Sequence, residues 1–327
     1  MITTFDELRL LADIGGTNAR FALQTGPGQF ECIEVLSCAQ HATIGDAMSA
    51  YLALAGQRGY AVQSVRHAAI AIANPVESDV VSMTNHHWSF SISGLRTERN
   101  LATLLVVNDF TALAMSLPYL QPSQRERIGG GEELHGRAIG LIGPGTGLGV
   151  GGVIPAGTGW VPLASEGGHA TFAPNNREEA RILDFLWNEF GHVSAERLLS
   201  GMGLELIHRA RTGERLAAPD ITGRALDGQG AESAACEATV KMFCAILGSV
   251  AGNVALTLGA TGGMYIGGGI VPRLGKLFSE SQFRQRFEDK GRLSSYLARI
   301  PTYLITEQYP ALIGVAAMLS AKIAAEQ

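Results

Sequence analysis

Residues 13–18 (DIGGTN) and 143–149 (GPGTGLG), in separate halves of a 327-residue chain, are glycine-rich turns of the kind that holds phosphate. Successive main-chain N–H groups, unobstructed at glycine, form an anion-holding concavity, and the Thr17 and Thr146 hydroxyls can add donors. Asp13, beside the first turn, can serve Mg²⁺. The pair therefore suggests one nucleotide gripped between two lobes. Phosphoryl transfer also requires alignment, charge neutralisation and a group that takes the acceptor's proton. Asp109 is the candidate base: it follows the apolar run 104–107 and should emerge at a strand's carboxyl end, where α/β proteins place ligands. An Asp that merely caps a helix opening at Phe110 explains the residue equally well.

A second polar cluster, residues 165–169 (SEGGH), could turn Glu166 and His169 toward one site and bind vicinal hydroxyls. A histidine beside a carboxylate is more often structural. Zinc is a weaker reading, since no cysteine lies near His169 and structural zinc sites close with four ligands. Glu196 alone reads as a first-turn carboxylate complementing a helix dipole. A third glycine turn, residues 267–269 in YIGGGIVPR, fits close backbone approach to an adenosine or tight strand-to-helix packing equally well. No Walker lysine follows these turns; Lys241, Lys276, Lys290 and Lys322 lie elsewhere, which disfavours a P-loop enzyme. Residues 13–18 also miss the GxGxxG pattern of dinucleotide enzymes.

The elements that must position these groups alternate between strand and helix. Runs 8–14 with 19–23, and 138–142 with 150–154, read as two β-hairpins around the first two turns, and hint at a duplicated core. Residues 65–73 and 104–107 read as strands, 44–54 and 110–117 as helices, and the pattern implies a sheet covered by helices. Residues 118–133 (PYLQPSQRERIGGGEE) form a composition break where the first domain boundary is placed. Beyond it, 177–190, 195–199 (with Ser194 as N-cap) and 202–211 read as helices, 214–230 is polar and glycine-containing, and 311–325 is a closing helix. Residues 242–272 carry no Asp, Glu, Lys or Arg, but their glycines, Asn253 and threonines favour a buried helix and strand over a membrane span. A net charge of −5 argues against a nucleic-acid partner. Cys32, Cys38, Cys236 and Cys244 lack metal-binding spacing and read as reduced thiols of a cytoplasmic protein. Asp6, Glu7 and Arg9 interrupt what a signal peptide would need as an apolar stretch.

The chain resembles bacterial glucokinases of the hexokinase and actin-like ATPase superfamily. The likeness runs in order through ADIGGTNARFAL, AIANP, MTNHHWSFS, VVNDFTALAMSLP, GPGTGLGVGG, SEGGHATFAPN, EFGHVSAERLLSGMGL, IGGGIVPR and FEDKGR. It implies a two-lobed α/β fold of actin-like ATPase (ribonuclease H-like) type, with a cleft between a small domain (residues 1–118, rejoined by 311–327) and a large one (119–310). By the resemblance, Ala12, Asp13, Ile14, Gly15, Gly16 and Thr17 bind ATP, with Asp13 near Mg²⁺. Gly145, Thr146 and Gly147 supply the second phosphate loop, and Gly268 and Gly269 lie against the adenosine. Asn108, Glu166, His169 and Glu196 would hold glucose hydroxyls, and Asp109 would be the base for the 6-hydroxyl, with lobe closure excluding water. Ser78 stands where related chains often carry glycine. A homodimer is expected from the likeness alone. A sugar-sensing DNA-binding regulator would need a helical domain before Asp13. The related zinc-loop kinases would carry cysteines where this chain reads ATFAPNNREEA. A filament or chaperone ATPase would have no use for the polyol-binding set.

Overall fold

The structure is a computed structural model that describes residues 7–326. Asp6, part of the signal-peptide argument, and Gln327, the end of the expected closing segment, lie outside the described residues. The chain forms two compact units, Met1–Leu120 with Gln308–Gln327, and Gln121–Glu307.

The first unit runs β1 (Arg9–Ile14), β2 (Asn18–Gly26), β3 (Gln29–Ser37), α1 (Ile44–Gln57), β4 (His67–Ile72), β5 (Val80–Ser82), β6 (Ser89–Ser91), α2 (Ile92–Glu98), β7 (Thr103–Asn108) and α3 (Asp109–Ser116). The second runs β8 (Arg125–Gly129), β9 (Ile139–Pro144), β10 (Leu148–Ala156), β11 (Gly159–Leu163), α4 (Arg177–Trp187), α5 (Gly201–Thr212), α6 (Ala218–Asp227), α7 (Gly230–Leu258), β12 (Gly263–Ile266), α8 (Val271–Leu274), α9 (Lys276–Ser279), α10 (Phe283–Glu288), α11 (Ser294–Ala298) and β13 (Thr302–Ile305). The last helix, α12 (Pro310–Glu326), belongs to the first unit.

In the first unit the sheet order is β3-β2-β1-β4-β7, antiparallel through the β1–β3 meander and parallel from β1 to β4 to β7. Side chains alternate between faces along each strand. Leu10, Ala12 and Ile14 therefore pack with Met48 and Tyr51 of α1, while Leu11, Ala69 and Ala71 meet Ala112 of α3 and Leu312, Val315 and Leu319 of α12. The second face is built of alanines, so the helices lie close. Gly314 of α12 has no room for a side chain, because a Cβ there would collide with the Ala112 carbonyl oxygen. The helix α1 opens on a Thr43–Asp46 capping box, in which each side chain satisfies the other's main-chain N–H.

The second unit repeats this plan: β11-β10-β9-β12-β13 has the same order and the same mix of directions, with β8 added antiparallel to β13. Its core forms around α7, whose Gly248 and Gly252 let the carbonyls of Phe283 and Phe287 approach. By length and composition α7 could cross a membrane, yet 67% of its most apolar window is buried within this unit.

One local expectation fails, and two stretches hold elements that composition did not show. Residues 195–199 form no helix but a single 3₁₀ turn, Ala195–Arg197, and Ser194 makes no side-chain cap there. The cap belongs to Ser200, whose Oγ accepts from Gly203 N–H (3.1 Å) and starts α5. The polar stretch 214–230 holds α6, opened by Pro219 in its first turn. The break at 118–133 contains β8, and its glycines serve packing: Gly130 has φ +99° and lies against the Ile300 carbonyl beside β13.

Candidate active site

In the first unit the candidate groups collect at the carboxyl ends of the three parallel strands. The register pairs Asp13 with Ala71 and Ala71 with Val107, then Ile14 with Ile72 and Ile72 with Asn108. Ala71 between them is fully buried against α3 and α12, and the carboxylates of Asp13 on β1 and Asp109 at the start of α3 lie close enough to interact. The β1–β2 turn closes through Gly15 N–H to the Asn18 carbonyl (2.9 Å), and is held by Cys38 N–H donating to Thr17 O (2.9 Å). A Cβ on Gly16 would come within 3.1 Å of Asn85, so this glycine makes room for the 84–88 loop.

Asn108, not Asp109, caps α3: its Oδ1 accepts from Phe110 N–H (2.9 Å) and Thr111 N–H (3.1 Å). Asp109 is the first helical residue, and its Oδ1 accepts from Phe110 N–H (2.8 Å) and Asn108 Nδ2 (3.1 Å). These donors favour the carboxylate, yet burial and then the negative charge of Asp13 outweigh them and push the Asp109 carboxyl up to about 6. A carboxyl that is ionised at neutral pH yet holds its proton this well suits a general base. Burial raises Asp13 as well, opposed by Arg20, whose Nη1 pairs with Oδ2 at 3.2 Å.

In the second unit, Glu166, His169 and Glu196 come together around one imidazole. His169 Nε2 lies 4.0 Å from Glu166 Oε2, and Nδ1 lies 3.9 Å from Glu196 Oε1. The glycines of SEGGH have a steric reason: a Cβ on Gly168 would collide with the Leu148 carbonyl, and one on Gly167 would press on Val150. The loop can lie flat on β10 only without side chains there. The β9–β10 turn, Gly145 to Gly147, closes through Gly145 N–H to Gly147 O (2.8 Å), and its Gly145 carbonyl accepts from Gly201 N–H (2.9 Å) at the start of α5. Gly268 has φ +79° and no room for a Cβ against the Pro144 carbonyl, while Gly269 faces open space. The third glycine turn thus lies directly beside the second.

A glucokinase family model matches residues 10–322. Over 97% of its length the chain is 53% identical to a glucokinase of Chromobacterium violaceum, covering 90% of that protein. It is 54% identical, again over 97% of its length, to the bifunctional protein glk of Burkholderia pseudomallei, but spans about half (49%) of that relative. The crystal structure of a glucokinase from an Antarctic psychrotroph superposes with a TM-score of 0.88 at 35% identity, over 96% of this chain and 99% of that one. The chain belongs to the glucokinase family. Its fold is the actin-like ATPase fold of glucokinases and related sugar kinases.

Several neighbours of the site in this glucokinase-family chain were not legible in its sequence. Arg20 signals itself only by lying opposite Asp13 across the hairpin. Asn74, at the end of β4, accepts from Thr84 N–H (3.1 Å) and Oγ1 (2.7 Å), and its carbonyl accepts from Asn108 Nδ2 (3.4 Å). Ser78 has no left-handed backbone, and its Oγ donates to the Val80 carbonyl (3.0 Å), so a serine fits this position without the conformation that would demand glycine.

Proposed function

We propose that the chain transfers the γ-phosphoryl group of ATP to the 6-hydroxyl of glucose, giving glucose 6-phosphate and ADP for glycolysis. The observation that carries this reading is Asp109, a half-buried carboxylate at a strand's carboxyl end with its pKa drawn toward neutrality. A sugar hydroxyl is a poor nucleophile, and a positioned base that takes its proton contributes about 10² to 10⁴ in rate. Asn108, Glu166, His169 and Glu196 would bind the sugar hydroxyls. Residues 12–17 and 145–147 would hold the phosphates, and Gly268 and Gly269 would admit the adenosine. Gly15 and Gly145 spend their own N–H groups on closing the turns, so the amides of Gly16, Thr17, Thr146 and Gly147 would be the ones to face an anion.

Mg²⁺ fits this set. Arg20 engages one oxygen of Asp13, and magnesium commonly takes one or two carboxylates with phosphate oxygens and water. Among the described residues no group of three His, Cys, Asp or Glu could hold a metal, so the ion would arrive with the nucleotide. Bound there, it would neutralise phosphate charge. Asp13 would orient it, and Asp109 would keep the proton taken from the 6-hydroxyl. A cytoplasmic location and a homodimer complete the proposal, on family likeness. Glucose and ATP are its partners; the acidic charge balance disfavours nucleic acid, and burial of α7 disfavours membrane insertion. ADP release with Mg·ATP across a panel of hexoses tests it. Selective turnover of glucose is expected, and activity confined to N-acetylated sugars would overturn it.

A further inference from the structure

Glu196 has two neighbours of different kinds. Its Oε2 accepts from Leu148 N–H (2.9 Å), at the exit of the Gly145 to Gly147 turn, and comes within 2.5 Å of where a Cβ on Gly147 would stand. Its Oε1 faces His169 Nδ1 at 3.9 Å. Glu166 also faces the imidazole, at 4.0 Å, and among the described residues has no hydrogen bond or ion pair to the turn. One carboxylate therefore joins the phosphate turn to the hydroxyl-binding cluster, and its neighbour does not.

We infer that Glu196 couples the two substrates, so that occupancy of the hydroxyl-binding cluster tightens the nucleotide turn and the nucleotide in turn tightens sugar binding. This rests on the reading of the site as a sugar kinase. A hydroxyl donating to Oε1 fixes the carboxylate, and the fixed Oε2 holds Leu148 N–H, which sets the exit of the turn whose amides face phosphate. Glycine at 147 leaves the carboxylate its place against the turn. Its backbone is not left-handed, so alanine there would cost no backbone strain and would push the carboxylate away. Linkage requires the effect to be reciprocal, and coupling between sites commonly amounts to about 5- to 150-fold in affinity.

Calorimetric titration of glucose, with and without a saturating β,γ-imido analogue of ATP and Mg²⁺, measures the coupling as a ratio of Kd values. For the wild type a ratio of about fivefold or more is expected, with the same ratio when the analogue is titrated against glucose. Glu196→Ala should bring the ratio close to one, and Gly147→Ala should do so with Glu196 still present. Glu166→Gln should weaken glucose but keep the wild-type ratio. A wild-type ratio of one, a wild-type ratio in both Glu196→Ala and Gly147→Ala, or loss of the ratio in Glu166→Gln would overturn the inference. Failure of the wild type to bind glucose at all would instead refute the sugar-kinase reading, so the two failures are distinct.

Discussion

Replacing Asp109 by Asn should stabilise the protein at neutral and alkaline pH while disabling it. In the folded chain this carboxyl is pushed up to about 6 from 3.8, by burial first and by the charge of Asp13 second. Between those values the native state holds more protons than the unfolded state. The stability this group contributes is therefore complete below about pH 4 and is lost as pH rises through about 6. A difference of about two units corresponds to roughly 3 kcal/mol. Because part of the shift is shared with Asp13, the gain recovered by Asn should be about 1–3 kcal/mol. Asn is close in shape and keeps an oxygen for Phe110 N–H. Urea unfolding of both proteins, followed by circular dichroism at pH 4 and pH 8, should show the variant gaining on the wild type by that amount between the two conditions. A gap independent of pH, or a variant less stable at pH 8, would refute the claim that ionised Asp109 is held under electrostatic and desolvation strain.

The same displaced carboxyl predicts that kcat/KM falls on the acid side with an apparent value near 6; a profile flat down to pH 5 would remove Asp109 as the titrating base. Glu166→Gln should raise KM for glucose with a smaller effect on kcat, and an unchanged KM in steady-state assays would make Glu166 structural. Gly314→Ala should destabilise the first unit by about 1–3 kcal/mol, since the added methyl meets the Ala112 carbonyl at the α12–α3 contact. A thermal midpoint equal to the wild type's would contradict that packing.

Local features carried much of the architecture. The two hairpins were legible because glycine turns sit between apolar β-rich runs, and Asp109 because it follows the apolar strand that became β7. What stayed hidden depends on long-range contact or on weak periodicity. The strand β3 runs along a sheet edge with Glu31 exposed and Glu34 half-exposed, and β8 is a short polar strand beside a glycine run. Neighbouring Asn108 and Asp109 are both good capping types, so composition could not divide the roles that their hydrogen bonds divide. Glu196 read alone as a first-turn carboxylate because Leu148, its partner, lies 48 residues away. The SEGGH cluster does turn Glu166 and His169 toward each other, but the close packing of its glycines on β10 could not be read from the sequence.

The most direct test of the account is single-turnover formation of glucose 6-phosphate from Mg·ATP by the wild type and by Asp109→Ala, with glucose affinity measured in parallel. The account expects the variant to bind glucose within a few-fold of the wild type and to turn over slower by about two orders of magnitude or more. Turnover retained by Asp109→Ala at the wild-type rate would contradict it.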